Sequence, residues 1–135
     1  MIGVLIVAHG ALGEALVQSA CHVLGRVPER LGHLAVAGKD DPEALAARAG
    51  ALVRELDTGD GVLVLADIYG ATPGNVALRL LRAGRVEGVA GVSLPMLVRV
   101  LNYRDRPLAV VVQKALSAGA EGVVHMTSDC CNGHR

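Results

Sequence analysis

Ile2 to Ala8 is an almost unbroken aliphatic run, and Gly61 to Ala66 is another. A strand with one wet face alternates apolar and polar residues. A run without alternation suits a strand covered on both faces, as in a parallel sheet between two helical layers. The rest of the chain has the complementary pattern. Leu12, Leu16, Ala20, Val23 and Leu24 recur at helical spacing before a stop at Gly25, and Leu31 to Ala37 reads as a weaker second strand. Asp41-Pro42 opens a helix with Leu45, Ala49, Leu52, Val53 and Leu56 on its apolar face, Pro42 being suited to a first turn. Thr72-Pro73 opens a third helix to about Ala83, and Val86 to Val92 returns as a strand. Helices are predicted over Pro95–Tyr103 and Pro107–Ala118, the latter stopped at Gly119, with a short last strand over Val123–Met126. This alternation predicts an α/β fold: a doubly wound, mostly parallel sheet of order 2-1-3-4 with helices on both faces. One domain is expected over residues 1–127, followed by a polar tail over 128–135.

Composition narrows the function. Hydrophobic residues make up 52% of the chain, enough for a sizeable core, and that core is aliphatic because Tyr69 and Tyr103 are the only aromatics. Thirteen basic and thirteen acidic residues cancel. With neither a basic excess nor aromatics to stack on bases, nucleic acid is a poor partner. No window offers the ~20 apolar residues of a membrane span, and the first ten residues read as a strand and not as a secretion signal. Three cysteines, two of them adjacent (Cys130, Cys131), do not form a disulfide framework, so a cytoplasmic location is expected.

In a sheet of order 2-1-3-4 the connections diverge after strands 1 and 3, leaving a crevice at their carboxyl ends. His9 closes strand 1 and Asp67 closes strand 3. Thr72-Pro73 then starts a helix whose unpaired N–H groups attract anions. A neutral imidazole, with a reference pKa of ~6.5, is a nucleophile near neutral pH. A carboxylate accepting one ring N–H leaves the other nitrogen free and favours the positive charge that develops on attack. Phosphoryl transfer otherwise needs positioning and neutralisation of the equatorial oxygens, for which backbone donors near Gly70, Ala71 and Thr72 and the Thr72 hydroxyl are placed. Thr72 also reads as an N-cap.

Three segments carry a family resemblance covering nearly the whole chain. Ala8-His9-Gly10 resembles the strand-end phosphohistidine motif of mannose-family IIA components of the sugar phosphotransferase system. Asp67-Ile68-Tyr69-Gly70-Ala71-Thr72-Pro73 is similar to their Asp followed by a Gly-Gly-Ser-Pro turn. Gly91-Val92-Ser93-Leu94-Pro95-Met96-Leu97 is similar to their Gly-Val-Asn-Leu-Pro-Met-Leu segment. The resemblance implies that His9 takes phosphate from the phosphocarrier protein HPr and passes it to a IIB component, with Asp67 bonded to the imidazole. It also implies a homodimer that exchanges its last strand. Two departures stand out: Ala71 replaces the second turn glycine, and Ile68 stands where a hydroxyl residue is frequent.

Ser93, Leu94, Pro95 and Met96 are placed on the crevice wall, with an ordinary strand-to-helix turn and core roles for Met96 and Leu97 as the plainer reading. His22, His33 and His125 read as structural. The Asp129-Cys130-Cys131-Asn132-Gly133-His134 tail does not have the form of a closed metal site. Gly10 and Gly13 do not complete a dinucleotide fingerprint, and no aromatic is placed to stack on a flavin. Neither metal nor cofactor is expected. The function expected is a phosphocarrier for sugar uptake, with IIB a separate protein because the chain ends soon after the last strand. The alternatives are a regulatory phosphoacceptor, phosphoryl supply to dihydroxyacetone kinase, and a non-enzymatic anion-binding domain.

Overall fold

A computed structural model describes residues 1–128. Four strands, β1 (Gly3–His9), β2 (Leu31–Val36), β3 (Val62–Ala66) and β4 (Val86–Ala90), form one parallel sheet of order β2-β1-β3-β4. Five helices accompany them: α1 (Leu12–Leu24), α2 (Pro42–Leu56), α3 (Thr72–Leu80), α4 (Leu94–Tyr103) and α5 (Leu108–Glu121). Both predicted central strands are buried along their length, apart from His9 at the end of β1.

The period of two in a strand divides these apolar runs between two cores. Val4, Ile6 and Ala8 of β1 join Leu63 and Leu65 of β3 under α1, α4 and α5. Leu5 and Val7 join Val62, Val64 and Ala66 under α2 and α3. With each face covered, neither could tolerate the polar half of an alternating pattern, which explains the unbroken runs.

Register places the two strand ends together: Val7 lies opposite Ala66, so His9 and Asp67 emerge side by side at the carboxyl edge. Beyond β4, the N–H groups of Gly91 and Val92 both donate to the Ala66 carbonyl at 2.9 and 3.1 Å, so the predicted strand over Val86–Val92 turns away after Ala90.

Several expected boundaries move. α3 stops at Leu80 and not near Ala83, because Arg82 leaves the helix to pair with Val86. Gly119 does not stop α5, which continues to Glu121 and ends at Gly122. A Cβ at Gly119 would stand 3.0 Å from Met96 Cε, so this glycine serves helix packing. Residues 123–127, His125 among them, form no strand with the sheet of this chain, and Val123, Val124 and Met126 are exposed. The tail cysteines Cys130 and Cys131 lie outside the described residues. Among the described residues, no helix is long and apolar enough to cross a membrane.

Candidate functional site

His9 is the last residue of β1, and the chain leaves it through Gly10, whose φ of +53° suits glycine. Its imidazole is half exposed. Asp67 follows the last residue of β3, and its carboxylate is nine-tenths buried against the strand ends. One oxygen, Oδ2, receives two donors from His9: the backbone N–H at 2.9 Å and ring Nδ1 at 2.8 Å. The backbone bond locks the carboxylate, and the locked carboxylate then orients the ring. Oδ1 is buried and has no hydrogen-bond partner among the described residues.

Two opposing influences act on this carboxylate. Burial raises its pKa; the hydrogen bonds from the His9 N–H and ring, with the ring's charge, lower it, and the lowering prevails. Asp67 is therefore ionised at neutral pH and must accept from Nδ1, so the proton of a neutral ring resides there and the lone pair on Nε2.

The turn after Asp67 presents the start of α3. Gly70 takes φ +86°, a conformation that glycine adopts without penalty, whereas Ala71 sits at −107° and accommodates its methyl group freely. The replacement of the second turn glycine by alanine thus costs the loop no backbone strain. Gly74 allows the helix to press on the turn, since a Cβ there would lie 2.8 Å from the Ile68 carbonyl oxygen. The N-cap is Ala71 and not Thr72, which is the first helical residue and exposed. No side chain caps α3, whereas Asp41 caps α2 and Ser93 caps α4. The Thr72 and Gly74 N–H groups therefore lack intrahelical acceptors, and Pro73 contributes none. α3 packs against β1 as well as β3, which keeps this open helix end beside the strand that carries His9.

The third motif divides between a helix cap, the core and a groove. The Ser93 hydroxyl is occupied in accepting from the Met96 N–H at 3.3 Å. Met96 and Leu97 are buried in the core beneath α1, α4 and α5, as the plainer reading had them. Leu94 and Pro95 line a separate groove along α4, with Val23, Arg99 and Tyr103, that contains neither His9 nor Asp67. A Ser-x-Pro ahead of an apolar run is a helix-start pattern and signals this role. Sequence reasoning did not single out the His9 backbone N–H, which carries no side-chain signature. It also gave no weight to the exposure of Ile68 and Tyr69 beside the site.

Comparison with known proteins bears on this geometry. The family model for "PTS system fructose IIA component" matches residues 3–115. The chain is 35% identical over 125 residues to the "PTS system mannose-specific EIIAB component" of Escherichia coli K12, a match covering 90% of this chain and 38% of that protein. It is 30% identical over 106 residues to the "PTS system fructose-specific EIIA component" of Bacillus subtilis 168, covering 78% of this chain and 72% of that one. In fold it resembles the phosphotransferase system component EIIA of Streptococcus agalactiae, with a TM-score of 0.82 at 24% identity, covering 93% and 97% of the two chains. A family model spanning most of the chain and two relatives at this level of identity agree: the chain belongs to the mannose- and fructose-type IIA family of the sugar phosphotransferase system.

Proposed function

We propose that His9 accepts a phosphoryl group from phospho-HPr on Nε2 and passes it to a IIB component, in the cytoplasm, as a step in sugar uptake. The observation that carries this reading is the doubly anchored Asp67 carboxylate, which holds Nδ1 at 2.8 Å and directs the free lone pair outward from a half-exposed ring. As the donor's P–N bond breaks, Nε2 forms a new P–N bond, and the charge that develops on the ring is met by Asp67. The equatorial oxygens are received by the uncapped start of α3, through the turn at Gly70 and Ala71 and the Thr72 N–H and hydroxyl.

Incubation with enzyme I, HPr and labelled phosphoenolpyruvate tests the reading. The wild-type chain acquires acid-labile phosphate and His9→Ala does not, with its fold retained because the side chain lies outside the core. Normal labelling of His9→Ala would reject the site.

The homodimer belongs to the same proposal. Among the described residues β4 is an edge strand whose outer side is unpaired beyond the Arg82–Val86 bridge, and the segment 123–127 exposes Val123, Val124 and Met126. Pairing of that segment with the β4 edge of a second copy satisfies both. Sedimentation equilibrium at micromolar concentration should give a dimer. A monomer there would reject the exchange.

A further inference from the structure

At the end of the sheet opposite His9, the C-terminal turns of α2 and α3 border a cleft of about 400 Å³ lined by Arg54, Arg79 and Arg82, with Val53 and Leu80 among its apolar walls. Arg54 and Arg79 stand in last helical turns, where a cation complements the macrodipole. That accounts for two of the three. Arg82 lies beyond the α3 cap, and its backbone is fixed by reciprocal hydrogen bonds with Val86, both 2.9 Å. A tight turn through Gly84, at φ +77°, closes that pairing and holds Arg82 at the rim.

The charge here is unbalanced. Glu43 accepts both its hydrogen bonds from Nη2 of Arg79, at 2.8 and 3.2 Å, which orients that guanidinium and, among the described residues, leaves Nη1 and Nε without side-chain partners. Among the described residues, neither Arg54 nor Arg82 forms an ion pair. Three guanidinium groups against one carboxylate leave a formal excess of two positive charges, reduced to about one by the negative ends of the α2 and α3 dipoles, within a chain whose charges sum to zero. A phosphate monoester, singly to doubly charged near neutral pH, suits that excess, and the planar guanidinium fork matches phosphate oxygens. The volume is within the ~300–1,000 Å³ of small-molecule pockets, and the apolar walls suit a short carbon skeleton.

We propose that this cleft binds a small organic phosphate monoester, a second anion site separate from the His9 site. The proposal does not depend on the role of His9. Amide NMR titration of the full chain with glucose 6-phosphate, and separately with inorganic phosphate, at constant ionic strength tests it. Saturable shifts should appear at Gly50, Val53, Leu80 and Val86 with both probes, at lower concentration for the organic ester. They should persist in His9→Ala. Arg82→Gln should weaken binding about tenfold, and Arg54→Gln with Arg82→Gln about a hundredfold. Should the double variant not fold, Arg82→Gln alone still reads the effect. Shifts confined to Gly70–Gly74, shifts that never saturate, or unchanged affinity in Arg82→Gln would each overturn the proposal. Binding of inorganic phosphate alone would overturn its assignment to an ester.

Discussion

Replacing Asp67 by asparagine keeps the outline of the side chain and removes its charge, and the geometry dictates how the amide must sit. Oδ2 accepts from the His9 backbone N–H at 2.9 Å and from Nδ1 at 2.8 Å. An amide N–H₂ in that position would face a backbone donor that cannot turn away. The amide oxygen must therefore occupy it, which preserves the Nδ1–H tautomer and sends the N–H₂ to the buried Oδ1 position. The defect is then electrostatic. Unit charges about 4 Å apart attract by ~4 kcal/mol at the effective dielectric of ~20 that describes such sites. Discounting for the half-exposed ring leaves about 2–4 kcal/mol of transition-state stabilisation to lose. Transfer should slow roughly 30- to 1,000-fold. Stability should fall by about 1–3 kcal/mol, because the lowered pKa marks the charge as net favourable in the fold and the N–H₂ takes the buried, partnerless Oδ1 position. Rapid-quench transfer from phospho-HPr, with thermal melts of both proteins, measures both quantities. A loss near 10⁴, as in a hydrolytic triad whose histidine holds the wrong tautomer, would refute the argument for amide orientation. A normal rate would refute the role of the charge.

Other expectations follow from the same geometry. Thr72→Val should slow transfer about five- to tenfold, the worth of one neutral hydrogen bond of ~1 kcal/mol, yet leave the melting temperature nearly unchanged because Thr72 is not the cap; a large drop in melting temperature would contradict this. Gly74→Ala forces a Cβ to within 2.8 Å of the Ile68 carbonyl oxygen, so it should destabilise the protein by about 1–3 kcal/mol and slow transfer through a displaced turn, measured by denaturant titration beside the transfer assay. Truncation after Glu121 should convert the dimer to a monomer in sedimentation while preserving the helical circular dichroism of α5, and an unchanged dimer would place the interface elsewhere. Acid titration should show stability present above the ordinary carboxylate range and lost as pH falls through the lowered values of Asp57 and Asp67. Asp57 is lowered chiefly by the Gly59 N–H, against its own burial, with Gly61 and Arg85 adding to the effect. The Asp67→Asn protein should lose less stability over that window.

The sheet was legible because burial on both faces leaves a mark that no other element shares. The runs at β1 and β3 identified the central strands, and the crevice argument then pointed to His9 and Asp67 at their ends. What escaped were features set by contacts between distant segments. Gly119 has the sequence look of a helix stop, yet its role is to admit Met96 from α4. Thr72 has the look of an N-cap, but the extended backbone of Ala71 places that position one residue earlier. The third motif matched as sequence while its side chains went elsewhere: Ser93 into a cap, Met96 into the core, and Leu94 and Pro95 to a separate groove. Val123–Met126 reads as a strand from its apolar content, but a strand needs a neighbour, and this chain's own sheet does not pair with it. The pair of hydrogen bonds accepted by Oδ2 could not be read at all, since one of the donors is backbone.

The central claim is that Asp67 reserves Nδ1 for the proton and leaves Nε2 to attack phosphorus. Heteronuclear NMR of ring-¹⁵N-histidine protein, phosphorylated through enzyme I and HPr, reads the attachment directly through the nitrogen shifts and phosphorus coupling of His9. Coupling is expected at Nε2, with Nδ1 still protonated. Phosphate on Nδ1 of His9, or on another histidine, would contradict it.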